Sequence, residues 1–250
     1  MNTAEFDRMF EVEETHWWYR GRRALVRAAL DRYAPDTGRK LDTLDLASAT
    51  GMSFRFLSDR CDVRGVDISD ETIRLCRRRG IDRLVQADAL ALPFAEASFD
   101  LVLALDAFEH FDDDRKAMDE VFRVLRPGGL LVATTPAFMA LWSPHDEAYH
   151  HFRRYTRPQL RGRLEASGFV TERMSYSSMT LFLPVLAMRR LRGLLPRGDD
   201  EQATSDFSVP MPWPLEQLAA AITASEVALE KRVDLPFGVS LYGVLRKPAA

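Results

Sequence analysis

From Leu41 onward, short β-rich runs alternate with segments that read as helix or loop, and that rhythm limits the architecture more than any other feature. The runs are Thr43–Leu46, Val63–Asp67, Leu84–Ala87, Phe99–Leu105 and Leu130–Thr135. Strands joined by helical crossovers pair in parallel, with the helices on both faces of the sheet. One helix is predicted from about Asp70 to Arg79: Ser69-Asp70-Glu71 offers a cap and negative charge at its start, Arg77-Arg78-Arg79 positive charge at its end, and Gly80 a left-handed stop. A second begins in Asp112-Asp113-Asp114, carries Met118, Val121, Phe122 and Leu125 on one face, and ends at Pro127-Gly128-Gly129. Thr156-Arg157-Pro158 opens another that stops at Gly168. Phe169–Tyr176 and Val239–Arg246 read as two further strands, with amphipathic helices around Met179–Leu195 and Leu215–Arg232 between them. A chain of 250 residues, 46% apolar, suits one such α/β domain with additions. The divisions expected are a helical cap over 1–38, a core over 39–176, a helical insertion over 177–236 and a final core strand over 237–250.

Charge and composition remove several classes of function. A net charge of −3 provides no positive field for nucleic acid. The two cysteines, Cys61 and Cys76, form neither a disulfide framework nor a zinc motif. Glu5, Asp7, Glu11, Glu13 and Glu14 are wrong for a targeting peptide, so a cytoplasmic protein is the expectation. The longest apolar run, Leu181–Met188, falls far short of the ~20 residues that span a bilayer. Peripheral membrane contact is left open: Leu181–Leu195 with Arg189, Arg190 and Arg192 either lies on a membrane, lids an apolar acceptor, or packs against the helix over 215–232. The polar, proline-rich stretch 196–214 is expected to be mobile.

The chemistry gathers where strands end. The first strand runs into Ala47-Ser48-Ala49-Thr50-Gly51, whose small side chains let a backbone turn approach a ligand closely. Asp67 closes the second strand about 20 residues later, where a nucleotide-binding α/β fold places a carboxylate on a ribose diol. Asp88 follows the third, with acceptor oxygens for an adenine amine or neighbouring backbone. Leu44 to Gly51, Gly65-Val66-Asp67, Gln86-Ala87-Asp88-Ala89, the Leu92-Pro93-Phe94 to Ser98-Phe99-Asp100 stretch and Leu125-Arg126-Pro127-Gly128-Gly129 together resemble the class I S-adenosylmethionine (SAM) dependent methyltransferases of type 11. That resemblance covers roughly Leu41–Thr135. It implies a Rossmann-like seven-stranded, mostly parallel sheet, SAM as cofactor and S-adenosylhomocysteine as product. It further implies Trp18, Arg22, Asp45, Ala47, Ser48, Ala49, Gly51, Asp67, Ile68, Asp88, Ala89 and Leu105 as cofactor-binding residues. Ala47 and Ala49 depart from the family, which usually has glycine there; a methyl group costs on the order of 1 kcal/mol wherever positive φ is required.

Three clusters complete the candidate site. His16-Trp17-Trp18-Tyr19-Arg20-Gly21-Arg22-Arg23 resembles the HWW(F/Y)xxRR opening of one methyltransferase subgroup, whose N-terminal helices lid the cleft; the alternative is a hydrophobic staple. Asp106-Ala107-Phe108-Glu109-His110 follows the fourth strand and echoes a Glu-x-x-Glu-His run that some relatives use for metal, although most use the Glu-His pair without one, so no metal is expected. His145, His150, His151, Arg153, Arg154 and Tyr155 resemble the family's segment before the last body helix. Candidate catalytic residues are His110, His150 and His151, as general bases; candidate substrate contacts are Trp17, His145, Arg153, Arg154 and Tyr155. The alternative for Arg153, Arg154 and Tyr155 is anchoring of the loop. The expected acceptor is an oxygen or nitrogen of a small or lipid-like molecule, used by a monomer or homodimer. The rivals are a methyltransferase fold repurposed for another reaction and a noncatalytic binding module.

Overall fold

The computed structural model describes residues 3–192 and 212–249. The five runs become strands β1 (Leu41–Leu46), β2 (Cys61–Asp67), β3 (Leu84–Gln86), β4 (Phe99–Leu105) and β5 (Leu125–Pro136), followed by β6 (Val170–Ser177) and β7 (Ser240–Arg246). They form one sheet in the order β3-β2-β1-β4-β5-β7-β6. β1 to β5 pair in parallel, and β7 runs antiparallel to both β5 and β6. From β1 the chain moves outward through β2 to β3, then returns to the other side of β1 with β4. That reversal opens a crevice beyond the carboxyl ends of β1 and β4, where sheets of this kind bind ligands.

Helices cover both faces. α1 (Thr3–Val12) and α2 (Trp17–Tyr33) precede the sheet, and α3 (Met52–Phe56) and α4 (Asp70–Arg78) follow β1 and β2. α5 (Asp114–Val124), α6 (Pro144–Ala148), α7 (Arg157–Ala166), α8 (Phe182–Arg192) and α9 (Trp213–Glu230) complete the set. On one face Leu25, Val26, Ala29 and Leu30 of α2 and Val227 of α9 bury against Leu101, Leu103, Leu130 and Val132. On the other, Met118 and Val121 of α5 and Leu160 and Leu164 of α7 bury against Val102, Ala104, Leu131 and Ala133. Ser69 caps α4 through a bond from the Glu71 N–H, as its sequence predicts.

Two elements differ from the sequence reading. Leu125 is the first residue of β5 rather than the end of the α5 stripe, because the chain leaves helical geometry at Val124 and Leu125 pairs with Phe99. The pairing then skips to Leu101 and Leu130, so Pro127, without an N–H to give the ladder, sits in the irregular stretch. α9 packs along α2, with Thr223 over Gly21. α2 and α9, the last helix of the described residues, therefore form one layer. Of the stretch 196–214 expected to be mobile, 196–211 lies outside the described residues, whereas Trp213 and Pro214 form the first turn of α9.

Candidate functional site

β1 ends in a turn with three left-handed residues: Ala47 (φ 54°), Ala49 (φ 48°) and Gly51 (φ 74°). The turn is pinned from several directions. Ser48 donates its N–H to Val66 O at 3.1 Å and its hydroxyl to Asp45 O at 2.8 Å, and Gly51 N–H donates to Ser48 O at 2.9 Å. Those contacts hold Ala47 and Ala49 in a conformation glycine adopts without penalty. Ala47→Gly and Ala49→Gly are each expected to stabilise the protein by about 0.5–1 kcal/mol, relief of strain outweighing the added freedom of the unfolded chain. Thermal unfolding of the single variants and the pair, with a rise of about 2–4 °C per kcal/mol in a chain of this size, checks this; a lowered melting temperature in both would show that the alanine methyls are needed.

Gly65 in β2 leaves room for this turn. A Cβ there would lie 2.4 Å from Ser48 Oγ and 2.6 Å from Leu84 Cδ1. Gly65→Ala is accordingly expected to destabilise by about 2 kcal/mol through overpacking, read as a lower denaturant midpoint at unchanged slope.

Asp67, at the end of β2, points at the turn. Its Oδ2 accepts the Ala49 N–H at 3.0 Å and its Oδ1 the Ser69 N–H at 2.9 Å, and the residue is 9% exposed. Burial raises its pKa, while the Ser69 and Ala49 N–H groups oppose the rise. Asp45 is buried beneath the turn and accepts from the Ser53 hydroxyl. Burial pushes it up to about 7 against the pull of Ser53 and Arg22. Asp88 is exposed, its Oδ1 accepting the Leu90 N–H, and Ala89 is buried behind it. Ile68, next to Asp67, is an apolar side chain left 69% exposed at the sheet edge. Leu105, partly buried, ends β4.

The N-terminal helices reach this turn through contacts the sequence reading missed. Buried Glu13 accepts from the Thr50 hydroxyl and pairs with Arg79 at 2.6 Å; Arg79 also donates to Thr50 O at 2.9 Å and to Phe10 O at 3.2 Å. The only sequence signal is an acidic residue amid an acidic run, which reads as solvated surface.

Beyond β4 the crevice continues as a cleft lined by Trp18 and Arg22 of α2, Asp106, Thr134, Ser177, Tyr242, and Glu226 and Glu230 of α9. Arg22 pairs with Asp106, whose other oxygen accepts the Thr134 hydroxyl at 2.9 Å. Glu226 accepts from the Thr180 hydroxyl at 2.7 Å, and Glu230 from Ser178 N–H at 3.3 Å. Burial pushes Glu230 up to about 7. Trp17, Trp18 and His16 form a tilted and edge-on aromatic group at the start of α2.

The loop cluster separates. Arg154 is buried and grips Asp146 at 2.7 and 3.0 Å. Tyr155 is buried, its hydroxyl donating to Asp114 at 2.6 Å, and Arg153 pairs with Asp114 at 2.9 Å. These groups anchor the loop to the ends of α5 and α6. His151 Nδ1 lies 2.9 Å from Asp146 Oδ1, and its ring packs edge-on against His110, the centroids 4.6 Å apart. His145 packs on Tyr149, and His150 is exposed at a left-handed position. Burial, then the neighbouring His151, pushes His110 down to about 3.

Residues 44–133 match the methyltransferase domain family. The malonyl-[acyl-carrier protein] O-methyltransferase of Enterobacter lignolyticus is 32% identical over 199 residues, covering 72% of this chain and 77% of that protein. The chain belongs to the SAM-dependent methyltransferases. This methyltransferase is also 40% identical over 121 residues to the demethylmenaquinone methyltransferase of Thermus thermophilus, a match over 45% of this chain and 52% of the relative. A solved SAM-dependent methyltransferase from Mesorhizobium loti shares its fold, with a TM-score of 0.57 at 19% identity over 94% of this chain and 99% of that one. The seven-stranded Rossmann-like sheet and SAM as cofactor are thereby shown. No helix among the described residues is long and apolar enough to cross a membrane.

Proposed function

We propose that this methyltransferase moves the methyl group of SAM to an oxygen or nitrogen of a small-molecule acceptor held in the cleft between α2, α9 and the ends of β4 and β5. The observation that carries this reading is the Asp67 carboxylate, fixed by the Ala49 and Ser69 N–H groups at the carboxyl end of β2, beside the turn that follows β1. Each oxygen keeps a lone pair, which suits the paired hydroxyls of a ribose. The surroundings fit an adenosyl group as well: Ile68 offers an apolar edge for a base, and Asp88 an exposed carboxylate for its amine. Ala47, Ser48, Ala49 and Gly51 bring backbone close to the same place, and Asp45, Ala89 and Leu105 border it.

SAM supplies a methyl group on a sulfonium that is already an excellent leaving group. The chain has to align the acceptor and exclude water. Arg22 and Asp106, paired beside Trp18, close the cleft on the side of α2, and Glu226 and Glu230 close it on the side of α9. Hydroxyl and carboxylate linings of this kind favour an acceptor with a polar, hydrogen-bonding head. Among the histidines expected to act as bases, His110 is held neutral and its low pKa makes it a weak one. The exposed Leu183, Leu191 and Trp213 of α8 and α9 are the surface on which peripheral membrane contact would rest.

Calorimetry with SAM and with S-adenosylhomocysteine, followed by transfer of labelled methyl to a panel of hydroxyl, carboxyl and amine acceptors, tests the proposal. Saturable binding of both and label on an oxygen or nitrogen are expected. Absence of saturable binding to either would remove the cofactor site, and label found only on carbon would remove the acceptor assignment.

A further inference from the structure

Between the cleft and the loop after α6 lies a group of side chains that the methyl-transfer reading does not use. One ligand atom from each of Glu109, His110 and His151 lies within 4.8 Å of the other two. Glu109 is 0% exposed, and neither of its carboxylate oxygens has a hydrogen-bond partner. An unpartnered buried carboxylate is strongly unfavourable and calls for an explanation. Protonation removes the charge yet leaves the new O–H without an acceptor; a bound cation answers both oxygens at once.

We propose that Glu109, His110 and His151 hold a first-row divalent transition-metal ion next to the methyl-transfer cleft. The histidines are prepared as metal ligands are. His151 has Nδ1 engaged by Asp146 at 2.9 Å, which leaves Nε2 for an ion, and Asp146 is itself gripped by Arg154. A carboxylate holding the far nitrogen of an imidazole is the usual outer support of a metal-bound histidine. The Tyr149 backbone carbonyl acts in the same way on the ring of His110. Ligand atoms on a single ion with bonds of about 2.0–2.2 Å sit roughly 3–4 Å apart, so 4.8 Å closes with small side-chain rotations.

The donor set selects the ion. Two imidazoles and one carboxylate suit zinc, cobalt, nickel, iron or manganese better than magnesium or calcium, which take oxygen shells. Three protein ligands leave at least one position open, as in catalytic rather than structural sites. Asp106, three residues before Glu109, lines the cleft; the metal site itself does not rest on the methyl-transfer reading.

The test uses the full chain, stripped with a chelator, dialysed and titrated with Co²⁺ while visible d–d absorption and heat are recorded. A single saturable Co²⁺ per chain is expected, displaced by Zn²⁺ and not by Mg²⁺, and weakened at least about tenfold in both Glu109→Gln and His151→Gln. Circular dichroism checks that each variant is folded, and the wild-type titration decides the matter even if one is not. Asp67→Asn, titrated in parallel, is expected to keep full Co²⁺ binding, which separates loss of the metal site from loss of the cofactor site. Absence of saturable Co²⁺ uptake by the folded wild type, or uptake unchanged in both ligand variants, overturns the proposal.

Discussion

Asp67→Ala is expected to weaken binding of SAM and of S-adenosylhomocysteine by about 100-fold while leaving a folded protein. A carboxylate that receives two ribose hydroxyls contributes two charge-assisted hydrogen bonds at roughly 1.5 kcal/mol each, and about 2.8 kcal/mol is a factor of 100 in affinity. The same carboxylate also takes the Ala49 and Ser69 N–H groups, so its removal loosens the turn. That loss is limited to about 1–3 kcal/mol for N–H groups left without their acceptor, which falls short of unfolding a domain of this size. Asp67→Asn keeps one acceptor oxygen without the charge and is expected to fall between, at about tenfold. Calorimetric affinities set beside thermal unfolding of the same variants separate the two roles. Affinity unchanged with a collapsed melting temperature would make Asp67 a structural residue and remove the centre of the functional reading.

The sequence made the sheet legible because each strand carries its own β-rich run and each crossover its own punctuation. Ser69 and Gly80 bracket α4 in the structure much as their chemistry predicts. The meeting of Asp45, Ala49 and Asp67 around one turn was legible for the same reason: it needs only the fold's connectivity. Contacts between distant helices were not. Glu13 finds Thr50 and Arg79 across 37 and 66 positions, and nothing local distinguishes it from Glu11 or Glu14, which stay exposed. The α2–α9 layer likewise depends on Thr223 meeting Gly21, a match of shapes that carries no periodic signal. The cluster from His145 to Tyr155 was visible as a cluster, but its density of polar groups could not show which of them face one another. Asp146, buried between His151 and Arg154, organises that loop and attracted no notice as a lone aspartate. The strain at Ala47 and Ala49 was the reverse case: the departure from glycine was readable, and the left-handed φ values show where it falls.

Affinity for SAM is expected to fall steeply below neutral pH, with Asp45 as the cause. In the free protein burial holds this carboxyl up to about 7, so it is largely neutral at pH 6. A cofactor carrying a sulfonium and an ammonium favours the charged form and lowers that value on binding. Binding therefore releases a proton, and the apparent affinity follows the ionised fraction of the free protein. Relative to a plateau above about pH 8, the loss is roughly tenfold at pH 6 and roughly 100-fold at pH 5, one factor of ten per unit. The sign for folding is opposite. Asp45 is raised in the folded state, so its contribution to stability is full below the ordinary carboxyl value of 3.8 and is lost as pH rises toward about 7. Asp45→Asn imitates the neutral form: it is expected to bind SAM weakly and with almost no pH dependence between 5 and 7, and to remove that part of the stability slope. Calorimetry in two buffers of different ionisation heat counts the proton directly. A wild-type affinity that stays level from pH 5 to 7, with no proton released, would mean that the charge of Asp45 plays no part in holding the cofactor, leaving the aspartate as a buried hydrogen-bond partner of Ser53.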